Sequence, residues 1–362
     1  MDDHQLLYLA KCYLQESVSP HAAAIDSDSD ALKQALMGLG ELGLLGLRVP
    51  SQWGGLEVSE ETFHTFPELV ARYSGALAFL QTQHQSAAAM LVQSQNESLK
   101  QEYLPHLSNG QVLVGIGFSH LRRAGEPLIV AVPATGGYQL QGHVPWITGF
   151  GLFQEFIVAA ALPDGQAVFG VVPFVETYQD ALGVITFSQP MALAAMTSTN
   201  TVTATLTNWF LPQERVVSVK PSGWIQENDK KNVLKPTGLA LGCTLAGLDI
   251  MHAAHSTKQL SFIAQAFEAL DRELADCRAA IRQAQLHCES LEKKLQLRAW
   301  AIDLAVRCAH AAVTVSSGAA NKRHHAAQRV YREALVFTVS GQTTALMEAT
   351  LARLVRSEFD AP

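Results

Sequence analysis

The chain has 362 residues, of which 48% are hydrophobic and 16% charged, a balance that is typical of a globular protein and excludes a disordered one. A net charge of −7 and the scatter of its 26 lysines and arginines argue against nucleic-acid binding. The N-terminus lacks a basic region, so no signal peptide is predicted, and no uncharged apolar run approaches the ~20 residues of a membrane span.

The first 110 residues have the apolar periodicity of helices and are predicted to form an N-terminal helical domain. Pro20 and Pro50 separate the helices, as does the polar run at 26–30. The aspartates and serines of that run, and Ser59 further on, are residue types that accept hydrogen bonds from the first amides of a helix.

Residues 111–215 change to a period of two and are predicted to form a middle β domain. Turn signals such as the sequence PDG at 163–165 separate the runs. Regular short strands without intervening helices indicate an antiparallel barrel or sandwich. The predicted strands are Val112–Phe118, Leu128–Val132, Tyr138–Val144, Phe156–Ala161, Ala167–Val172 and Thr201–Leu206.

Residues 216–362 are predicted to form a C-terminal helical bundle, with the polar stretch 216–235 as its connection to the β domain. From about 236 to 355, Leu, Ala and Val alternate with charged faces, as a four-helix bundle requires.

The cysteines are odd in number and form no CxxC pair, so free buried thiols in a reducing, cytoplasmic compartment are expected. They are Cys12, Cys243, Cys277, Cys288 and Cys308. No metal site is predicted, because the adjacent His324 and His325 would point about 100° apart on a helix and could not easily chelate one ion.

Four short stretches carry a family resemblance. They are residues 44–55 (LLGLRVPSQWGG), 104–110 (LPHLSNG), 146–149 (WITG) and 331–343 (YREALVFTVSGQT). Together they resemble the acyl-CoA dehydrogenases over roughly residues 30–355, in an outlying branch near the flavin-dependent monooxygenases of the same fold. The resemblance implies an α+β fold with an N-terminal helical domain, a central antiparallel β-barrel and a C-terminal four-helix bundle.

Gly341 stands where the resemblance places a catalytic glutamate, which takes a proton from the substrate α-carbon while the flavin accepts a hydride. A glycine has no group that can accept a proton. Some members of the family carry the glutamate on an earlier helix, at a position near Asn232, where this chain has no carboxylate either. The catalytic residues are therefore unknown, with Ser119 and His120 as weak candidates for stabilising an oxygenated flavin.

The resemblance implies FAD as the cofactor, and FMN or reduced flavin supplied by a reductase is the alternative. Two stretches correspond to family segments that contact the flavin ring. Lys258 lies in the region where the family carries an arginine that pairs with the FAD pyrophosphate of a neighbouring subunit, and it could supply that charge. The expected flavin-binding residues are Phe118, Ser119, Trp146, Ile147, Thr148, Lys258, Gly318, Thr343 and Thr344. Arg122 is either a phosphate-binding residue or part of a solvated pair with Arg123.

The expected function is a flavin-dependent oxidoreductase that lacks the usual glutamate. Two alternatives remain: a flavin-dependent monooxygenase on the same fold, and a non-catalytic binding or assembly module. The implied partners are a small-molecule substrate such as an acyl-CoA, a second copy of the chain in a homodimer or homotetramer, and an electron-transfer or reductase protein.

Overall fold

The computed structural model describes residues 2–180, 183–287 and 289–355. Cys288 lies outside the described residues. Helices come first, strands second and helices last, which confirms the predicted order of the three regions.

The N-terminal domain contains six α-helices among the residues described. These are α1 Asp3–Tyr13, α2 Ala22–Ser27, α3 Ser29–Glu41, α4 Glu60–Tyr73, α5 Gly75–Val92 and α6 Glu97–Leu107. Two predicted caps are in place: Asp28 accepts a hydrogen bond from the Asp30 amide at 2.9 Å, and Ser59 accepts one from the Thr62 amide at 3.2 Å. Each satisfies one of the amides that the start of a helix leaves free.

The middle region is a single nine-stranded sheet within the described residues. Its strands are β1 Val114–Gly117, β2 Ile129–Ala134, β3 Gly137–Ile147, β4 Glu155–Ala161, β5 Ala167–Pro173, β6 Thr177–Tyr178, β7 Val184–Phe187, β8 Val202–Pro212 and β9 Val216–Lys220. The strand order is β6-β7-β8-β3-β2-β4-β5-β9, with β1 added beside β4. Neighbouring strands are antiparallel, except that β4 pairs in parallel with β1 and, through one residue pair, with β2.

The C-terminal region contains the bundle and a short helix that precedes it. Its helices are α7 Trp224–Lys231, α8 Thr237–Lys258, α9 Ser261–Leu286, α10 Leu291–Ser316, α11 Ala326–Val339 and α12 Thr344–Leu354. The stretch 216–235, predicted as a polar connection, contains β9 and α7. Its apolar runs are too short to give a clear period.

Ion pairs join the N-terminal helices to the bundle. The Arg72 guanidinium of α4 forms two hydrogen bonds with the Asp249 carboxylate of α8, at 2.8 and 2.7 Å, and Arg278 of α9 pairs with Glu68 of α4. Such two-bond pairs fix orientation as well as distance. The first and last regions therefore pack as one helical body beside the sheet.

Helix α8 is long and apolar enough to cross a membrane by length and composition. It lies at the centre of the bundle, however, and 67% of its most apolar window is buried inside the protein. Core helices of soluble proteins have the same composition, so we read α8 as a core helix.

Candidate functional site

Gly341 lies in the tight connection between α11 and α12, with a backbone φ of +60°. This left-handed conformation favours glycine over residues with a Cβ atom. Gly341 thus follows the end of α11 rather than interrupting a helix. Gly341 is exposed, and a Cβ atom built on it would have one close neighbour, Nη2 of Arg298, at 3.3 Å.

Arg298 is a buried cation on α10 that holds this connection by hydrogen bonds. Its Nη2 donates to the carbonyls of Ser340 at 2.6 Å and Gly341 at 3.2 Å. No carboxylate of the described chain lies within ion-pair distance of it. Burial lowers the pKa of Arg298 to about 10, so the guanidinium keeps its charge at neutral pH.

The same guanidinium also contacts the segment near Asn232, where some members of the family carry the catalytic glutamate. Arg298 Nη1 donates to the carbonyl of Val233, the next residue, at 3.3 Å. Asn232 ends α7, and its side-chain amide donates to the carbonyl of Asn228 at 2.8 Å. Two segments that are 108 positions apart in sequence, at 233 and 341, are therefore joined by one cation.

The acids near these positions are engaged elsewhere or exposed. Asp229 accepts two hydrogen bonds from the Arg122 guanidinium, at 2.7 and 2.8 Å, so Arg122 is a partly exposed member of an ion pair. Glu227 pairs with Lys230, and Glu348 is exposed on α12. None of these carboxylates is placed to remove a proton next to Gly341.

On the sheet, the end of β3 carries the residues expected to face a flavin ring. Trp146 is 48% exposed, so the residues that the structure describes leave about half of its side chain uncovered. Ile147 is buried in the core. Thr148 is buried as well, and its hydroxyl shares a hydrogen bond with that of Thr201 at 3.0 Å. Of these three side chains, only the Trp146 indole is available to a ligand.

The segment after β1 differs from its expected role. Phe118 is buried edge-on against Phe169 and Trp224, which makes it a core residue. Ser119 is exposed. His120, the other weak catalytic candidate, is buried, and its Nε2 donates to the Ala159 carbonyl at 3.0 Å. Burial lowers the pKa of His120 to about 4, so it is a neutral structural histidine at physiological pH.

The remaining expected cofactor residues fall into two groups. Thr343 caps α12 by accepting from the Leu346 amide at 3.2 Å, and Thr344 beside it is exposed. Lys258 and Gly318 lie at the far ends of α8 and α10, where Lys258 donates to the Val315 carbonyl at 2.5 Å. At ~1.5 Å per residue, these helices separate that end from Val233 and Arg298 by roughly 30 Å.

The described residues fit a flavin in part. The uncovered indole of Trp146 offers a stacking surface for a ring, and nothing lies within 4 Å of a Cβ atom built on Gly318. Lys258 and Gly318 are too far from Arg298 to contact the same ring system within one chain. Within one chain, Lys258 and Gly318 are therefore not part of the surface next to Arg298.

Sequence reasoning did not single out Arg298, although its side chain joins the segments at 233 and 341. Its contacts reach residues 65 and 42 positions away in sequence, and no local motif reports such distances. The available signal is an arginine within the apolar run of α10 from Leu297 to Ala301, at a position that a bundle helix buries.

Comparison with known proteins shows which proteins the chain is similar to. Residues 2–111 match the family model of the acyl-CoA dehydrogenase N-terminal domain. A Bacillus subtilis protein named as a probable acyl-CoA dehydrogenase is 22% identical over 95% of each chain. The rat very long-chain specific acyl-CoA dehydrogenase is 27% identical over 65% of this chain, which spans 38% of that protein.

Solved structures agree with the sequence matches. An acyl-CoA dehydrogenase from Geobacillus kaustophilus aligns with a TM-score of 0.80 at 15% identity, over 97% of each chain. Identity at this level speaks for the fold alone. Residues 2–111 therefore match the N-terminal domain of the acyl-CoA dehydrogenases, and the chain as a whole is similar to relatives named acyl-CoA dehydrogenase and shares the fold of their solved structures.

Proposed function

We propose that the protein is a flavin-dependent oxidoreductase of the acyl-CoA dehydrogenase type, with FAD as its cofactor, in which no carboxylate acts as the α-proton base. The observation that carries the proposal is the placement of Arg298. Its guanidinium contacts the backbone at Gly341 and next to Asn232. These are the two positions at which acyl-CoA dehydrogenases would carry the catalytic glutamate. A bound flavin would supply the redox chemistry.

A buried guanidinium cannot replace a carboxylate as a base, but it can stabilise negative charge. Because the pKa of Arg298 is about 10, the side chain does not accept a proton at neutral pH. It can instead stabilise negative charge on a bound substrate, since electrostatic interactions are strong where water is excluded. The substrate we propose is a small organic molecule, such as an acyl-CoA, that carries or develops negative charge.

A monooxygenase is the second candidate, because that reaction needs no α-proton base. The same cation favours it, as does the absence of a free carboxylate next to Gly341 in the described chain. In this case FMN or reduced flavin from a reductase would replace tightly bound FAD. His120 takes no part in either proposal, because it is buried and hydrogen-bonded to the sheet.

A non-catalytic binding or assembly module is the third candidate. It is favoured by the hydroxyl of Thr148, which is bonded to Thr201, and by Phe118, which packs in the core. Neither side chain is free to contact a flavin ring. This candidate predicts a protein that folds and assembles but has no flavin.

We further propose that the chain forms a homodimer or homotetramer. Helix α11 exposes Tyr331, Leu335 and Val339 at intervals of four residues, so they share one face. Helix α12 exposes Met347 and Leu351 in the same way. Exposed apolar rows of this kind mark interaction surfaces. Assembly could also bring Lys258 and Gly318 of one copy toward a flavin on another.

We also propose a cytoplasmic location. Cys243, Cys277 and Cys308 are buried free thiols. Reduced cysteines are typical of proteins in a reducing compartment.

The visible spectrum of the purified protein, with and without added FAD, tests the proposal. We expect a flavin spectrum and very slow turnover of a panel of acyl-CoAs with an artificial electron acceptor. A positioned base contributes ~10²–10⁴-fold, so the rates should be lower than those of a glutamate-bearing relative by about that factor. A colourless protein that takes up neither FAD nor FMN would reject the flavin proposal and favour the third candidate.

A further inference from the structure

A cavity of about 580 Å³ lies between α4, the start of α8 and the second half of α9. Neither Arg298 nor Gly341 lines it. Its volume is within the ~300–1,000 Å³ range of sites for small organic molecules. The buried side chains of Leu234, Leu241 and Ile281 form an apolar part of its wall.

The carboxylates in the wall are already paired. Glu68 forms an ion pair with Arg278, and Glu61 lies 3.4 Å from Arg282. Glu60 pairs with an arginine outside the wall, Arg48. These acids therefore neutralise arginines and leave little negative charge for other cations.

Three further cations face the same cavity. Lys231, Lys235 and Lys294 line it, and none of them has a carboxylate within 4.0 Å in the described chain. Burial and the neighbouring Arg48 lower the pKa of Lys235, and Glu60 only partly opposes them. Like charges that converge on a concave surface attract an anion.

The start of α8 adds to this positive field. Thr237 and Gly238, its first two residues, line the cavity, and no side chain caps the helix. The N-terminus of a helix carries a partial positive charge, although the Thr237 amide itself already donates to the Leu234 carbonyl at 3.1 Å. Cations and an apolar wall thus occur together in one cavity.

We propose that this cavity binds an amphipathic organic anion, with a carboxylate or phosphate head near the unpaired lysines and a short hydrocarbon tail on Leu241 and Ile281. Asn232 also lines this cavity, so the cavity adjoins the segment that Arg298 holds, whereas Trp146, Arg298 and Gly341 lie outside its wall. An acid or phosphate ester with a chain of several carbons suits both the volume and the two kinds of wall.

Isothermal titration calorimetry tests the proposal with four probes: octanoate, octyl phosphate, octanol and inorganic phosphate. We expect saturable 1:1 binding of octanoate or octyl phosphate, and weaker binding of the other two. The variant Lys235→Gln/Lys294→Gln should bind about tenfold more weakly, which is the loss of about 1.4 kcal/mol. Lys293→Gln is the matched control, because Lys293 is the neighbour of Lys294 on α10 and lies outside the wall.

The preferred probe identifies the head group, and either preference supports the proposal. Octanol binding as tightly as octanoate would overturn it, since charge would then play no part. So would unchanged affinity in the double variant, an equal loss in Lys293→Gln, or no saturable binding of either anion at millimolar concentration. If circular dichroism shows that the double variant is misfolded, Lys231→Gln serves in its place with the same criteria.

Discussion

The carboxylate of Glu333 lies at the first amide of α5, where its Oε1 atom accepts a hydrogen bond from the backbone of Gly75 at 3.1 Å. Arg329 donates to the same oxygen at 2.7 Å, and Glu333 is fully buried. A negative charge at this end of a helix is favourable. Glu333, which belongs to the family-like stretch 331–343, therefore joins α11 to the N-terminal helices.

Gly75→Ala should destabilise the protein because the new Cβ atom would lie 2.6 Å from Cδ of Glu333. We expect a loss of about 1–3 kcal/mol in the free energy of unfolding, measured in urea. Gly318→Ala is the control, since nothing lies within 4 Å of a Cβ atom there. Its effect should be about 0.5 kcal/mol or less. Equal effects of the two substitutions would contradict the close approach of Glu333.

Gly341→Ala should cost about 1–2 kcal/mol, because a residue with a Cβ atom must adopt φ of +60°. Gly341→Asn should cost less, since asparagine tolerates this conformation. The midpoints of thermal unfolding of the two variants provide the comparison. Equal stability of the alanine and asparagine variants would contradict the left-handed backbone conformation of Gly341.

Gly341→Glu should gain little acyl-CoA dehydrogenase activity. The introduced side chain would start 3.3 Å from the Arg298 guanidinium, and a neighbouring cation lowers the pKa of a carboxylate and weakens it as a base. The measurement is acyl-CoA oxidation with an artificial acceptor, beside Gly341→Gln as the uncharged control. A rate near that of a glutamate-bearing relative would show that Arg298 does not hold the new carboxylate.

Two buried histidines should make the fold acid-sensitive. Burial lowers the pKa of His84 and of His120 to about 4, below the ordinary value of 6.5. The folded state therefore binds fewer protons than the unfolded state, so stability is complete above about pH 6.5 and falls as the pH drops toward 4. Each histidine should remove about 2 kcal/mol between pH 7 and pH 5.

Urea unfolding at these two pH values measures the effect. His120→Asn should reduce the loss by about half, whereas His4→Asn, at an exposed site, should leave it unchanged. A pH dependence that is the same in all three proteins would mean that other groups cause it.

Trp146→Ala should weaken flavin retention without unfolding the protein, because the indole is 48% exposed. We expect a loss of about 1–2 kcal/mol in unfolding free energy, since about half of the side chain is buried, together with a lower ratio of flavin to protein after gel filtration. Trp209→Ala is the contrasting variant: Trp209 is buried in β8, so its truncation should cost several kcal/mol, about 3–5. Unchanged flavin content in the folded Trp146→Ala variant would show that Trp146 does not contribute to flavin binding.

The regions of the fold follow from sequence because their signals are local. The period of the apolar residues gave helices before about 110 and after 236, and the sequence PDG at 163–165 marked the turn between β4 and β5. Strands β6 and β7 were missed because they have only two and four residues. A run of that length carries too few alternations to show a period of two.

The site was less accessible to sequence reasoning. Trp146 and Gly341 were found because they lie in motifs, but their surroundings depend on side chains far away in sequence. The burial of His120 depends on the Ala159 carbonyl, 39 positions on, and the space beside Gly341 depends on Arg298. Such long-range contacts are decided by packing of whole elements, which a single sequence does not display.

The separation of roughly 30 Å between Arg298 and the Lys258–Gly318 end has a consequence for purification. If each flavin is held by one copy at its ring and by another at its phosphates, cofactor loss and subunit dissociation are the same equilibrium. Dilution would then release flavin in proportion to the dissociation of the protein into single chains. Raising the protein concentration in the presence of FAD would restore the bound flavin and the oligomer together.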